Sequence, residues 1–182
     1  MIYPKEEFGS AYQIPYEVFY DKGYRAIIFD IDNTLVPHGA PADERARKLC
    51  KNLKEMGFQI CFLSNNNTKR VAPFAEALDA KFICNAGKPF RRGYERAGDI
   101  LQVDREKILF IGDQVLTDII GANRMGYYSI LVGPVSRMEG FLIVAKRLLE
   151  RASIFFYRRS RHYKGNRPDR SGYERNIPEN YR

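Results

Sequence analysis

The chain has 182 residues, 45% of them hydrophobic and 29% charged, a balance that fits one soluble globular domain with terminal extensions and excludes a fibrous or wholly disordered protein. No apolar run approaches the roughly 20 residues of a membrane-spanning helix, and the opening Met1-Ile2-Tyr3-Pro4-Lys5-Glu6-Glu7 has no apolar centre of a secretory signal, so the expected location is cytoplasmic, with peripheral contact on the inner face of the membrane left open. The net charge is +8, and most of the excess lies in residues 157–182, with eight Lys and Arg against three Asp and Glu, which favours an anionic partner.

In chain order, residues 1–24 form an aromatic-rich segment with Tyr3, Phe8, Tyr12, Tyr16, Phe19, Tyr20 and Tyr24. Residues 26–29 (Ala-Ile-Ile-Phe) then read as a strand buried on both faces. Residues 41–56 carry Ala42, Ala46, Leu49, Leu53 and Met56 near helical spacing, and Gly57 closes them. Strand-like runs recur at 59–63, 81–84, 108–111 and 129–132, and helix-like stretches at 69–78, 91–101 and 116–125, the last followed by Gly126. Cys61 and Cys84 lie in apolar runs and Cys50 in the first helix; odd in number and without C-x-x-C spacing, they read as reduced, buried thiols. Residues 138–157 show an apolar stripe through Phe141, Ala145, Leu148, Ala152 and Phe155, and residues 158–182 lose periodicity and are expected to be disordered when alone.

Strand alternating with helix predicts an α/β fold, a doubly wound parallel five-stranded sheet in a three-layer sandwich. The organisation expected is an N-terminal segment 1–24, a catalytic domain 25–157 ending in an amphipathic helix, and a basic tail 158–182.

In open parallel sheets ligands bind at the carboxyl ends of the strands, and there the polar residues collect. The first strand ends in Asp30-Ile31-Asp32-Asn33-Thr34 and the second in Ser64-Asn65-Asn66-Asn67; Gly87-Lys88-Pro89 follows the third; the fourth ends in Gly112-Asp113-Gln114, with Asp118 beyond. Carboxylates, a hydroxyl, amides and one lysine brought to one edge suit phosphoryl transfer, which needs positioning and stabilisation of charge on phosphate oxygens. A carboxylate can serve as nucleophile. Several carboxylates facing a phosphate require a hard cation, and Mg²⁺ takes one or two carboxylates with phosphate oxygens and waters. Asn66 and Asn67 read as turn or capping residues, His38 as an exposed loop histidine, and Gly87 as serving backbone geometry.

The order of these clusters resembles the haloacid dehalogenase-like superfamily. Asp30-Ile31-Asp32-Asn33-Thr34-Leu35-Val36 is similar to its D-x-D-x-T-[LV] first motif, Leu63-Ser64-Asn65-Asn66 to its second, Lys88 to its third, and Gly112-Asp113-Gln114-Val115-Leu116-Thr117-Asp118 to its fourth, G-D-x4-D. The resemblance implies a phosphatase in which Asp30 is nucleophile and metal ligand. Asp32 is then the general acid/base, its backbone carbonyl on the metal, and Ser64 and the amide of Asn65 hold the phosphate. Lys88 neutralises nucleophile and phosphate, Asp113 binds Mg²⁺, and Asp118 supports Lys88 or metal-bound water. No cofactor beyond the metal is implied.

Asp30 and Ser64 are 34 positions apart, and Ser64 and Lys88 24, each gap filled by one helix and one strand, so no cap domain is expected and the site is open. Within the superfamily, the stretch from Gly112 through Asp118 to Arg124 resembles small capless phosphatases related to the bacterial and mitochondrial phosphatidylglycerophosphate phosphatases. This implies a lipid-borne phosphomonoester as substrate and contact with an anionic membrane, for which the aromatic N-terminal segment and the basic tail are candidates; the stripe at 138–157 either joins that contact or packs on the sheet as its last helix. Asn123 and Arg124 are placed at the substrate edge. The alternative is a capless phosphatase acting on a soluble small molecule or a nucleic-acid end; nucleic acid is otherwise not an expected partner.

Overall fold

The computed structural model describes residues 3–136; the predicted helix at 138–157 and the basic tail lie outside the described residues. Six strands form one parallel sheet: β1 (Glu6–Phe8), β2 (Ala26–Phe29), β3 (Gln59–Leu63), β4 (Lys81–Ile83), β5 (Ile108–Gly112) and β6 (Tyr128–Val132), in the order β1-β6-β5-β2-β3-β4. The helices are α1 (Tyr16–Asp21), α2 (Glu44–Glu55), α3 (Thr68–Glu76), α4 (Arg91–Leu101) and α5 (Ile120–Met125).

The sandwich follows from side-chain alternation along the central strands. Ile27 and Phe29 of β2 join Phe62, Leu109 and Ile111 in a core covered by α1, α2 and α3 through Phe19, Cys50, Leu53, Val71 and Phe74. The intervening Ala26 and Ile28 face the other way, with Cys61, Leu63 and Phe110, under Tyr94, Ala97 and Leu101 of α4 and Ala122 and Met125 of α5. Both faces are apolar, which is why these strands read as unbroken hydrophobic runs. Burial pushes the Cys50 and Cys61 thiols up to about 12.

Six strands replace the expected five. The addition, β1, pairs in parallel with β6 at the sheet edge, Glu6 opposite Ile130 and Phe8 opposite Val132. Three residues, two of them glutamates, carry no strand signal; pairing holds them, with the Tyr128 hydroxyl donating to Glu6 at 2.6 Å. The aromatic N-terminal segment is likewise part of the sandwich. Tyr16 and Phe19 are buried in the first core, with Phe8, Tyr12, Tyr20 and Tyr24 packed against it, so these rings are not free to rest in a lipid headgroup layer. Tyr12 also donates its hydroxyl to the Leu35 carbonyl at 2.7 Å, bracing the loop that follows β2.

β2 sits at the switch point of the sheet. From it the chain winds outward through β3 and β4, then crosses back to place β5 on its other side. The crevice at the carboxyl ends of β2 and β5 is where such a sheet binds ligands.

Candidate active site

Asp30 is the first residue past β2, and its N–H is tied to the Ile111 carbonyl of β5 at 2.9 Å, which places its carboxylate in the crevice. Lys88 comes in from the loop after β4. Its ammonium lies 2.5 Å from Asp30 Oδ1 and 2.7 Å from Asp118 Oδ1, and all three side chains are almost wholly buried. The loop is pinned by Asn65, whose Oδ1 accepts from the Lys88 N–H at 2.7 Å and whose Nδ2 donates to the Lys88 carbonyl at 3.3 Å. Gly87 precedes it with φ +68°, a left-handed conformation that glycine adopts without strain.

Beyond β5 the chain forms a π-helical turn at Val115–Ile119 before α5 starts, where the sequence pattern reads as one continuous helix. The wider turn lets both Asp118 oxygens find partners: Oδ1 takes Lys88, and Oδ2 accepts the Gln114 N–H at 3.0 Å. Such bulges recur at functional sites. Gly112 makes room for it, since a Cβ there would come within 2.5 Å of Asp118 Oδ2. Thr34, fully buried, has its hydroxyl 3.3 Å from Asp30 Oδ2 and 3.4 Å from Asp113 Oδ1, bridging the first and fourth clusters.

Carboxylate oxygens of Asp30, Asp113 and Asp118 all lie within 4.8 Å of one another, with one ammonium, that of Lys88, among them in the described residues. Burial raises the Asp113 carboxyl to about 8, helped by repulsion from Asp30 and Asp118. Burial likewise raises Asp30 to about 6 against the pull of Lys88. Burial alone would lower the Lys88 ammonium, but the charges of Asp118 and Asp30 hold it well above the usual range. The cluster carries more negative charge than its lysine offsets.

Asp32 stands apart, at the mouth of the crevice. Its Oδ1 accepts the Gly39 N–H at 2.7 Å and the Arg70 guanidinium at 2.9 Å, and its Oδ2 accepts Asn66 Nδ2 at 2.6 Å. His38 Nδ1 is 3.8 Å from the same Oδ1. Ser64 is buried after β3, its hydroxyl accepting the Asn66 N–H at 3.1 Å.

The sequence-predicted residues therefore converge as two linked groups: Asp30, Lys88, Asp113 and Asp118 in the crevice, Asp32 at its mouth, with Ser64 and Asn65 on the adjoining loop. Asn67 caps α3, accepting from the Arg70 N–H at 3.2 Å. Three partners of Asp32 were missed. Asn66 is a ligand of Asp32 rather than a turn former, and His38 is half-buried beside it. Arg70 carried a readable signal, because a cap at Asn67 sets Arg70 in the first turn of a helix that begins at the strand edge. Asn123 is misplaced by the sequence reading. It bonds the Tyr3 carbonyl at 2.9 Å and the Ser129 hydroxyl at 2.7 Å, at the start of β6 and so at the opposite edge of the sheet. Two surface hollows of about 650 and 390 Å³ also lie at that opposite edge, around Tyr24, Asp104 and Lys107 and around Gly98 and Gln102.

Fold and site together define a doubly wound α/β hydrolase with a centre suited to phosphoryl transfer. The family of haloacid dehalogenase-like hydrolases matches residues 40–126. A probable phosphatase, YqeG of Bacillus subtilis (strain 168), is 37% identical over 160 residues, covering 87% of this chain and 93% of that protein. The chloroplastic/mitochondrial phosphatidylglycerophosphate phosphatase 1 of Arabidopsis thaliana is 29% identical over 160 residues, 78% of this chain but only 44% of its own length. An uncharacterised protein from Listeria monocytogenes serotype 4b shares the fold, with a TM-score of 0.50 at 16% identity over 68% of this chain and 99% of that one. The chain belongs to the haloacid dehalogenase-like hydrolases and is a phosphatase of that superfamily.

Proposed function

We propose that this phosphatase works through an aspartyl-phosphate on Asp30, requires Mg²⁺, and removes the terminal phosphate of phosphatidylglycerophosphate to leave phosphatidylglycerol. The observation that carries the mechanism is the buried Asp30–Lys88–Asp118 pairing with Asp113 alongside, at the switch point of the sheet.

The residues present fit the metal. An all-oxygen donor set with excess negative charge suits a hard divalent cation and no soft one. Asp30, Asp113 and the backbone carbonyl of Asp32 would hold it; Asp118, both oxygens already engaged, supports Lys88 instead. Mg²⁺ bound there offsets the carboxylate charge and polarises phosphoryl oxygens.

The remaining chemistry belongs to the chain. The Asp30 carboxylate attacks phosphorus and the bond to the leaving oxygen breaks, while Asp32 gives that oxygen a proton and releases an alcohol. Water then attacks the phosphorus of the acyl phosphate with Asp32 taking its proton; the bond to Asp30 breaks and orthophosphate leaves. Lys88, Ser64 and Asn65 hold the phosphoryl oxygens as charge spreads over them. Arg70, Asn66 and Gly39 fix the Asp32 carboxylate at the mouth, where a leaving group must sit.

The lipid substrate is supported by the likeness to the Arabidopsis enzyme and by the short connections between the central strands. One helix, α2, separates β2 from β3, and one, α3, separates β3 from β4, so neither connection holds an inserted domain. The basic residues of 158–182 add attraction to anionic lipid. The test is phosphate release by the full chain from phosphatidylglycerophosphate in vesicles and from soluble phosphomonoesters, with Mg²⁺ and with chelator. Release from the lipid that stops in chelator is expected. Brisk release from soluble esters with none from the lipid would support the soluble-substrate alternative.

A further inference from the structure

We propose that the rim of the active site on the α4/α5 side is a docking surface for an anionic lipid bilayer, formed by Phe90 and Leu116 with Arg91 and Arg92 beside them. This deepens, and rests on, the reading of the substrate as lipid-borne.

Phe90 is 70% and Leu116 56% exposed, and both stand on turns that carry the site. Phe90 is two residues past Lys88, and Leu116 lies between Asp113 and Asp118. The two turns are neighbours. Tyr94, one helical turn beyond Phe90, donates its hydroxyl to the carbonyl of Thr117, the residue after Leu116. A Cβ on Gly121 would strike the Tyr94 ring, so the glycine lets α5 approach α4 closely. Val135, 39% exposed, adds a third apolar tip after β6, its N–H bonded to the Asn33 carbonyl at 2.8 Å.

The charge around these tips is basic. Arg91 and Arg92 open α4 and are exposed, Arg91 within 3.6 Å of Glu95. The exposed acids Glu17, Asp43 and Glu44 lie at the starts of α1 and α2, on the opposite face of the sheet. Apolar side chains flanked by arginines match the boundary of an anionic bilayer, where apolar groups enter the acyl region and cations meet headgroups. The orientation suits the chemistry. Asp30 is only 6% exposed at the crevice floor, and a headgroup phosphate stands only a short way off the bilayer. Seating the rim in the headgroup layer brings that phosphate toward Asp30.

The sequence contains no tryptophan, so Phe90→Trp and Leu116→Trp are each single-reporter proteins. Val18→Trp, at an exposed position of α1 (45%) away from the site, is the control. Fluorescence is read with vesicles of phosphatidylglycerol and phosphatidylcholine, beside co-sedimentation of the same samples. A blue shift at 90 and 116 but not at 18 is expected. The Phe90→Ser/Leu116→Ser double variant is expected to lose about tenfold of its turnover on vesicle-borne phosphatidylglycerophosphate, with p-nitrophenyl phosphate turnover and melting temperature unchanged. Sedimentation without a shift at 90 and 116, an equal shift at 18, or no sedimentation overturns the proposal. The two readings separate cleanly: a rim shift with no phosphate released from the lipid keeps the surface and removes the substrate, whereas release without a shift does the reverse.

Discussion

Lys88→Met removes the one cation that the described residues bring into the carboxylate cluster while keeping most of the side-chain volume. Lys88 is 4% exposed and lies 2.5 Å from Asp30 and 2.7 Å from Asp118. Removing one partner of a buried ion pair costs about 3–5 kcal/mol, because the charge left behind has neither water nor counter-ion. For a chain of 150–250 residues each kcal/mol moves the melting temperature by about 2–4 °C, so a fall of about 6–20 °C is expected in chelator at pH 8. The loss must depend on pH. Asp30 and Asp113 are raised to about 6 and about 8 even with the lysine present, so the folded state binds more protons than the unfolded one between pH 4 and 8. Stability then falls as pH rises through that window, and more steeply without Lys88. The variant should therefore recover much of its deficit at pH 5, and part of it at pH 8 when Mg²⁺ is added. Differential scanning calorimetry at both pH values, with chelator and with Mg²⁺, reads all four conditions. A deficit below about 2 °C at pH 8 in chelator, or one of equal size at pH 5, would refute the electrostatic account of the cluster.

In the wild type, the same raised carboxyls predict that Mg²⁺ elevates the melting temperature more at pH 8 than at pH 6, since below their pKa protons compete for the oxygens; an equal increment contradicts this. Arg70→Gln removes the 2.9 Å contact that fixes Asp32. Turnover is expected to fall about 10- to 100-fold with the melting temperature nearly constant, and unchanged kinetics would remove Arg70 from the mechanism. Gly121→Ala drives a methyl into the Tyr94 ring and should cost about 1–3 kcal/mol, read as a lowered denaturant midpoint; a neutral substitution would show that α4 and α5 can separate.

The central strands and the crevice residues were legible because each rests on a local signal. Strands buried on both faces print as apolar runs, and a parallel sheet delivers the residues that end them to one edge, so the sequence alone brings Asp30, Ser64, Lys88, Asp113 and Asp118 together. What stayed hidden depends on contacts distant in sequence. β1 is three residues long and polar, held by pairing with β6, more than a hundred residues away. The aromatic segment before β2 reads as a membrane contact and is core, because its rings close one face of the sheet. His38 and Asn66 gain their roles from Asp32, and nothing in their neighbours' identities shows that the loop after β2 and the loop after β3 meet. The π-helical turn at Val115–Ile119 keeps near-helical spacing in sequence and shows itself only in how Asp118 is satisfied.

The central claim is that Asp30 is the nucleophile, and its most direct test is phosphate release by Asp30→Asn from p-nitrophenyl phosphate in Mg²⁺, on protein whose melting curve shows it folded. The account predicts a loss of at least about a thousandfold, since the variant has no carboxylate to carry the phosphoryl group. Retention of more than a small fraction of the wild-type rate would contradict it.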